Sequence, residues 1–347
     1  GAALTLVLIA AACGGSDDSG GSETTTTVRS TSSTGEEATT GPAEPVRSSG
    51  CGSSTTAAAT EEKRSVDVAG TERDYLLTTP AQHDGTTPLP LVLDIHGLAE
   101  GSTVHSRMTG YSALAQQEGF VAAFPNGLGT PQRWDVDVTD PANPDLAYID
   151  QLLDRVGQEL CIDTSRVYAT GLSMGGWFTS TLGCTRSDRI AAIAPVSGVL
   201  YQDGCRPERP VPVRTFHGTA DPILLFNGGI GQLTGLMTGA TTADQLTLAP
   251  ADINGAGYPA AVRSWAEHNE CTPTPKETRP SAGVLLRVYS CPDGADVEFS
   301  IIEGGGHSWP GSAFSQSIEK IVGPTNMDLD ATRLTWDFMS QFHLPAG

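Results

Sequence analysis

Gly171-Leu172-Ser173-Met174-Gly175 joins a nucleophile to the steric freedom that would expose it. A strand-like run at residues 166–170 precedes it, and a helix-forming stretch opens at Met174. A serine on so abrupt a strand-to-helix turn has its hydroxyl pushed into the open, and small neighbours leave room for the turn. The chemistry this suits is attack on a carbonyl carbon. A neutral hydroxyl needs a base to do that, and the base needs an acid to hold its tautomer. The developing oxyanion also needs backbone N–H donors already in place.

On an α/β sheet these parts come from loops after strands, in the chain order serine, acid, histidine. The strand-like residues 211–216 run into His217-Gly218-Thr219-Ala220-Asp221-Pro222, placing Asp221 in a post-strand turn as the acid. The last strand-like run leads into Glu303-Gly304-Gly305-Gly306-His307, whose glycines let His307 approach the serine as the base. His83 and His105 precede the nucleophile, His268 lies inside a helical stretch and His343 follows the last one, so none suits that role. Asp293 and Asp296 are the reserve acids. His217, beside the acid, reads as structural or as part of a substrate wall. The N–H of Met174, at a helix start where amides lack intrahelical acceptors, is one expected oxyanion donor. Leu98, in the loop after residues 91–95, supplies the other, with His96 ordering that loop. Trp134 and Trp309 are candidates for the substrate wall, against the alternative of core packing.

The elements that must position these groups alternate. Residues 66–68 and 75–77 flank a Gly70-Thr71 turn as a hairpin. Strands are predicted at 91–95, 120–124, 166–170, 190–194, 211–216, 284–289 and 297–302. Helices are predicted near 112–118, through the period of Leu146, Ile149, Leu153, Val156 and Leu160, after Ser173, and at 259–269 and 330–342. Strands alternating with helices favour an α/β fold with a mostly parallel central sheet covered on both faces. Residues 227–257 form a loose Gly/Thr/Ala region.

Composition narrows the partners. A formal charge of −20 repels nucleic acid and anionic headgroups, so no nucleic-acid partner is expected. No Cys-x-x-Cys or His-Glu-x-x-His occurs, and neither a metal nor an organic cofactor is expected. Cysteines stand at 13, 51, 161, 184, 205, 271 and 291. With Cys13 set aside, six suit three disulfides in an oxidising compartment. Cys271 and Cys291 bracket one short segment and are the expected couple, while the other pairings stay open.

The apolar run at residues 2–12 is too short to span a bilayer, which takes roughly 18 or more residues. It ends Ala10-Ala11-Ala12-Cys13 before a polar tail, resembling a bacterial lipoprotein signal with Cys13 as the lipidated residue. An ordinary secretory signal is the alternative, and both export the protein. The expected organisation is a signal remnant at 1–13, a disordered Ser/Thr/Gly-rich tether at 14–60 and one catalytic domain at 61–347. That places the domain outside the cytoplasmic membrane, touching it only through the lipid anchor.

Further blocks repeat a familiar order: Leu93 to Gly97, Phe120 to Gly127 followed by Trp134, and Cys161-Ile162-Asp163 leading to Ser173. Ala191 to Val196, His217 to Pro222, and Glu303 to Gly311 complete it. From about Ser49 onward the chain resembles the secreted polyhydroxybutyrate depolymerase and feruloyl esterase-like α/β-hydrolases, especially actinobacterial lipoprotein members. The resemblance implies carboxylic ester hydrolysis with Ser173 as nucleophile, Asp221 as acid and His307 as base, without cofactor or metal. It also implies that Cys51 joins the disulfides. Against that resemblance, residues 227–257 run longer than is typical, and Met174 stands where relatives often carry Asn, which leaves the backbone donor intact. The same triad would serve acyl transfer to a sugar or lipid hydroxyl. A surface binding protein that kept the fold without its chemistry is the third reading.

Overall fold

The computed structural model describes residues 44–52 and 60–345. The apolar run, Cys13 and most of the Ser/Thr-rich segment lie outside the described residues. Strands β1 (Thr60–Val68) and β2 (Thr71–Thr79) form the expected hairpin, followed by β3 (Leu89–Ile95). Helices α1 (Ser102–Thr109) and α2 (Tyr111–Glu118) precede β4 (Val121–Pro125), and α3 (Pro144–Glu159) precedes β5 (Ile162–Leu172). Then come α4 (Met174–Thr185), β6 (Ala192–Val196), β7 (Val213–Gly218), α5 (Leu233–Met237) and α6 (Tyr258–His268). The chain closes with β8 (Lys276–Ser281), β9 (Val284–Tyr289), β10 (Val297–Ile302), α7 (Ala313–Ser317), α8 (Glu319–Val322) and α9 (Ala331–Met339).

The strands form one sheet in the order β1-β2-β4-β3-β5-β6-β7-β10-β9-β8. The six central strands from β4 to β10 run parallel, and antiparallel pairs close both edges. Every residue of β3 is buried, as a central strand covered on two faces requires. Leu91, Leu93 and Ile95 meet the side chains of α3 and α4 on one face. Val92 joins Tyr111, Phe120 and Trp336 on the other. Parallel strands bring the C-terminal ends of β3, β5, β7 and β10 to one edge of the sheet. All the predicted reactive residues follow those ends.

Helix boundaries follow local chemistry. The Asn143 side chain accepts the N–H groups of Asp145 and Leu146, with Pro144 as the first helical residue of α3. Asp330 accepts Arg333 N–H at 3.0 Å to start α9.

Four features depart from expectation. The short α1 lies between Gly101 and Gly110, and β8 is an exposed polar edge strand with no apolar alternation to betray it. Residues 227–257 contain α5 and a short 3-10 turn at Ala243–Gln245. Residues 44–52, placed in the tether by composition, are fastened to the body. Ser48 N–H donates to Ile162 O (2.9 Å), its hydroxyl donates to Leu160 O (2.8 Å), and Cys51 is bonded to Cys161.

The other disulfides are Cys184–Cys205 and the expected Cys271–Cys291. A crosslink restricts the unfolded chain more the longer the loop it closes. The sequence separations are 110, 21 and 20 residues in chain order. Cys51→Ser is therefore expected to cost about 5 kcal/mol of stability, and Cys184→Ser or Cys271→Ser about 3 kcal/mol. Urea unfolding of the three variants measures the ranking.

Candidate active site

Ser173 sits between β5 and α4 with φ 61° and ψ −123°, a left-handed backbone that side-chain-bearing residues rarely adopt. Its N–H donates to Val196 O (3.0 Å) and its carbonyl accepts Trp177 N–H (3.0 Å), so neighbouring elements hold the strain. The flanking glycines are needed because backbone passes where a side chain would go. A Cβ at Gly175 would lie 2.0 Å from Ile95 O, and one at Gly198 would lie 2.2 Å from Ser173 O. Ser173 opens into a cavity of about 320 Å³ that His307, Met174 and Leu98 also line.

Asp221 follows β7 and is fully buried. Its Oδ1 accepts the N–H groups of Ile223 and Leu224, both at 2.8 Å, which fixes the carboxylate plane. Its Oδ2 accepts His307 Nδ1–H at 2.7 Å and faces His217 Nε2 at 3.2 Å. Burial pushes this carboxyl up, but His307 and His217 outweigh it and hold the group well below the usual carboxylate range. His307 is anchored by its N–H to Val322 O (2.5 Å), and the preceding Gly306 N–H donates to Pro324 O (2.7 Å). With Nδ1 on Asp221, Nε2 is the ring nitrogen left for a proton from the cavity.

Met174 opens α4, ahead of the intrahelical ladder, so its amide has no acceptor on its own helix. In the loop after β3, Gly97 N–H donates to Glu100 Oε2 (2.9 Å) and Ala99 N–H to Gln132 O (2.9 Å). The Leu98 amide between them takes no acceptor among the described residues. His96 orders the loop as its position suggests. Its Nδ1–H donates to Gly97 O (2.6 Å), its Nε2 accepts Gly127 N–H (2.9 Å), and burial pulls it down to about 4.

A second buried assembly was not foreseen. His105 lies between two carboxylates, with Nε2 2.9 Å from Asp94 Oδ1 and Nδ1 3.0 Å from Glu100 Oε2. Burial pulls His105 down, but the two acids outweigh it and hold the imidazolium, pushed up to about 10. The chain Asp94–His105–Glu100 ends on the Gly97 amide and so pins the loop carrying Leu98. The order of reactive groups along the chain rules His105 out as the base but says nothing about such a supporting role.

Three sequence-predicted wall residues lie elsewhere. Trp134 is 2% exposed, stacks on Phe178 at 4.8 Å and donates its indole N–H to His96 O (2.9 Å). Trp309 is 1% exposed, donates to the Thr332 hydroxyl (2.9 Å) and meets His105 and Tyr111 edge-on. His217 stacks on Tyr258 with ring centroids 3.8 Å apart, and its Nε2 also faces Leu224 O at 2.9 Å. All three are core groups supporting the site from behind. Trp177 and aliphatic side chains line the cavity instead.

The signs of these shifts define a stability profile. His105, ordinarily near 6.5, contributes stability that is complete below that pH and is lost as pH climbs toward about 10. Glu100 and Asp221, held below their ordinary 4.5 and 3.8, contribute stability present above those values and lost as acid protonates them. His105→Gln is expected to be less stable than the parent at pH 6.5 yet to lose little more toward pH 10, where the parent declines. Urea midpoints across that range measure the difference.

No protein-family model matches the chain. It is 28% identical over 281 residues to feruloyl esterase B of Piromyces equi, covering 79% of this chain and 46% of that protein. It is 29% identical over 253 residues to a bifunctional acetylxylan esterase/xylanase of Neocallimastix patriciarum, covering 73% and 31%. The chain thus spans under half the length of either protein. Feruloyl esterase D of Neurospora crassa is 24% identical over 312 residues, covering 85% of this chain and 91% of that one. Among solved structures, an acetyl xylan esterase from Aspergillus awamori matches with a TM-score of 0.50 at 15% identity, over 71% of this chain and 94% of that one. The chain has the α/β-hydrolase fold, and its relatives by sequence include feruloyl, acetylxylan and putative esterases.

Proposed function

We propose that this chain is a serine carboxylic ester hydrolase working through an acyl-enzyme. The observation that carries the reading is the Asp221–His307 pair at 2.7 Å, with His307 lining the cavity that Ser173 opens into. Ser173 Oγ attacks the ester carbonyl as its proton passes to His307 Nε2. The N–H groups of Met174 and Leu98 receive the oxyanion. The tetrahedral species collapses as His307 returns the proton to the leaving alcohol oxygen. Water then attacks the acyl-enzyme, giving its proton to the same nitrogen, and the acid departs as Ser173 recovers its hydrogen. The names of the relatives suggest acetyl and feruloyl esters, and the resemblance in sequence adds hydroxyalkanoate polyesters.

Export fits the same reading. Three disulfides suit an oxidising compartment. No helix among the described residues is long and apolar enough to cross a membrane. Lipidation at Cys13, with the following polar segment as tether, would hold the domain at the outer face of the cytoplasmic membrane.

Ser173→Ala is expected to abolish both p-nitrophenyl acetate hydrolysis and labelling by a fluorophosphonate. Asp221→Asn, which leaves His307 without its orienting acceptor, is expected to lower kcat by roughly 10⁴-fold while the protein stays folded. Parental turnover in the Ser173 variant would overturn the assignment.

A further inference from the structure

Apart from Ser173, His307, Glu100, Ser315 and Trp177, the cavity is lined by aliphatic and methionine side chains. Ile223, Ile230, Leu233 and Met237, from the segment after Asp221 through α5, form one side. Ile318, between α7 and α8, and Ile321 of α8 form another. No lysine or arginine lines it among the described residues. Two of its other polar atoms already accept hydrogen bonds: Glu100 Oε2 from Gly97 N–H and His105, and the Ser315 hydroxyl oxygen from Trp309 N–H at 3.1 Å. The aromatic ring present, that of Trp177, has its indole nitrogen buried.

The apolar surface continues past the mouth. Ile230 is 66% exposed and Met237 60%, and Leu98 and Ile321 are also exposed. Large apolar side chains grouped at the rim of a reactive cavity mark what the cavity takes in. A volume of about 320 Å³ equals that of roughly ten waters at about 30 Å³ each, room for a hydrocarbon chain of modest length. A phenol or sugar hydroxyl placed against the Ile230, Leu233 and Met237 wall would lose its water without gaining a partner there. A flexible hydrocarbon chain would lose nothing and bury its whole length.

Resting on the ester-hydrolase reading, we propose that the acyl group this site takes is an unsubstituted aliphatic chain of medium length, of about eight carbons. Acetyl would leave the walls unfilled, and hydroxycinnamoyl would strand its phenol. The wall formed by Ile230, Leu233 and Met237 sets the preference.

The test is a p-nitrophenyl ester series from acetyl through butanoyl and octanoyl to dodecanoyl, with methyl ferulate alongside, on the chain with all three disulfides formed. We expect kcat/KM to rise about fourfold per added methylene, the equivalent of ~0.8 kcal/mol each, and to level off beyond octanoyl. Acetate esters of alcohols of increasing length should show no such climb. Met237→Asp, at an exposed rim position, should cut the octanoate-to-acetate ratio at least tenfold. A flat series, a preference for acetate, or methyl ferulate outrunning the octanoate would overturn the inference while leaving the hydrolase intact. Failure to hydrolyse any of these esters, with no fluorophosphonate labelling, would instead remove the hydrolase reading and this inference with it.

Discussion

The left-handed backbone of Ser173 is the constraint on which the rest depends. A residue with a side chain adopts it at a cost of order 1–3 kcal/mol, so the surroundings must leave it no better choice. They do so by crowding. The β3 carbonyl of Ile95 passes 2.0 Å from where a Cβ on Gly175 would be and 2.5 Å from one on Gly171, and Gly198 is equally tight against Ser173 itself. Strand spacing, the start of α4 and the turn after β6 are thereby set together. The Met174 amide follows directly as the first residue of α4, so the proposed nucleophile and oxyanion donor come from one backbone event.

Around this turn, buried charge is organised into two assemblies. In one, Asp221 gathers His307 and His217, with two backbone amides on its other oxygen. In the other, His105 joins Asp94 to Glu100 and reaches the Gly97 amide. Neither contains an isolated charge, which an interior would not tolerate. Each fixes something the proposed mechanism needs held before substrate arrives: His307 in the first, the loop carrying Leu98 in the second. Donors fixed beforehand need no reorganisation during reaction.

Much of this was legible in the residues because the demands are local. The glycines flanking Ser173, and Gly305 and Gly306 ahead of His307, report a backbone that a Cβ would obstruct, while Gly304 supplies a positive φ of 72° and Pro222 fixes the turn after Asp221. The parallel centre of the sheet follows from apolar runs alternating with helical periods. What escaped is what residue type alone does not encode. Trp134 and Trp309 have the chemistry of a binding wall, but their packing partners, Phe178 and Tyr111, lie far away in sequence. The Glu100–His105–Asp94 group exists only once β3 and α1 are folded together. Strand β8 is polar because it is an exposed edge, and residues 44–52 are held by hydrogen bonds and a disulfide that composition does not reveal.

The two cavity walls differ in what anchors them. Val322, beside Ile318 and Ile321, accepts the backbone N–H of His307, and a Cβ at Gly306 would lie 2.2 Å from that same Val322 carbonyl. Any insertion on this side would drag the base with it. The segment from Ile230 to Met237 is anchored less directly, through the turn after Asp221. Divergence among descendants of this chain therefore has one permissive flank and one forbidden flank. New acyl preferences should evolve by remodelling the stretch after the acid, while the stretch after the base stays frozen.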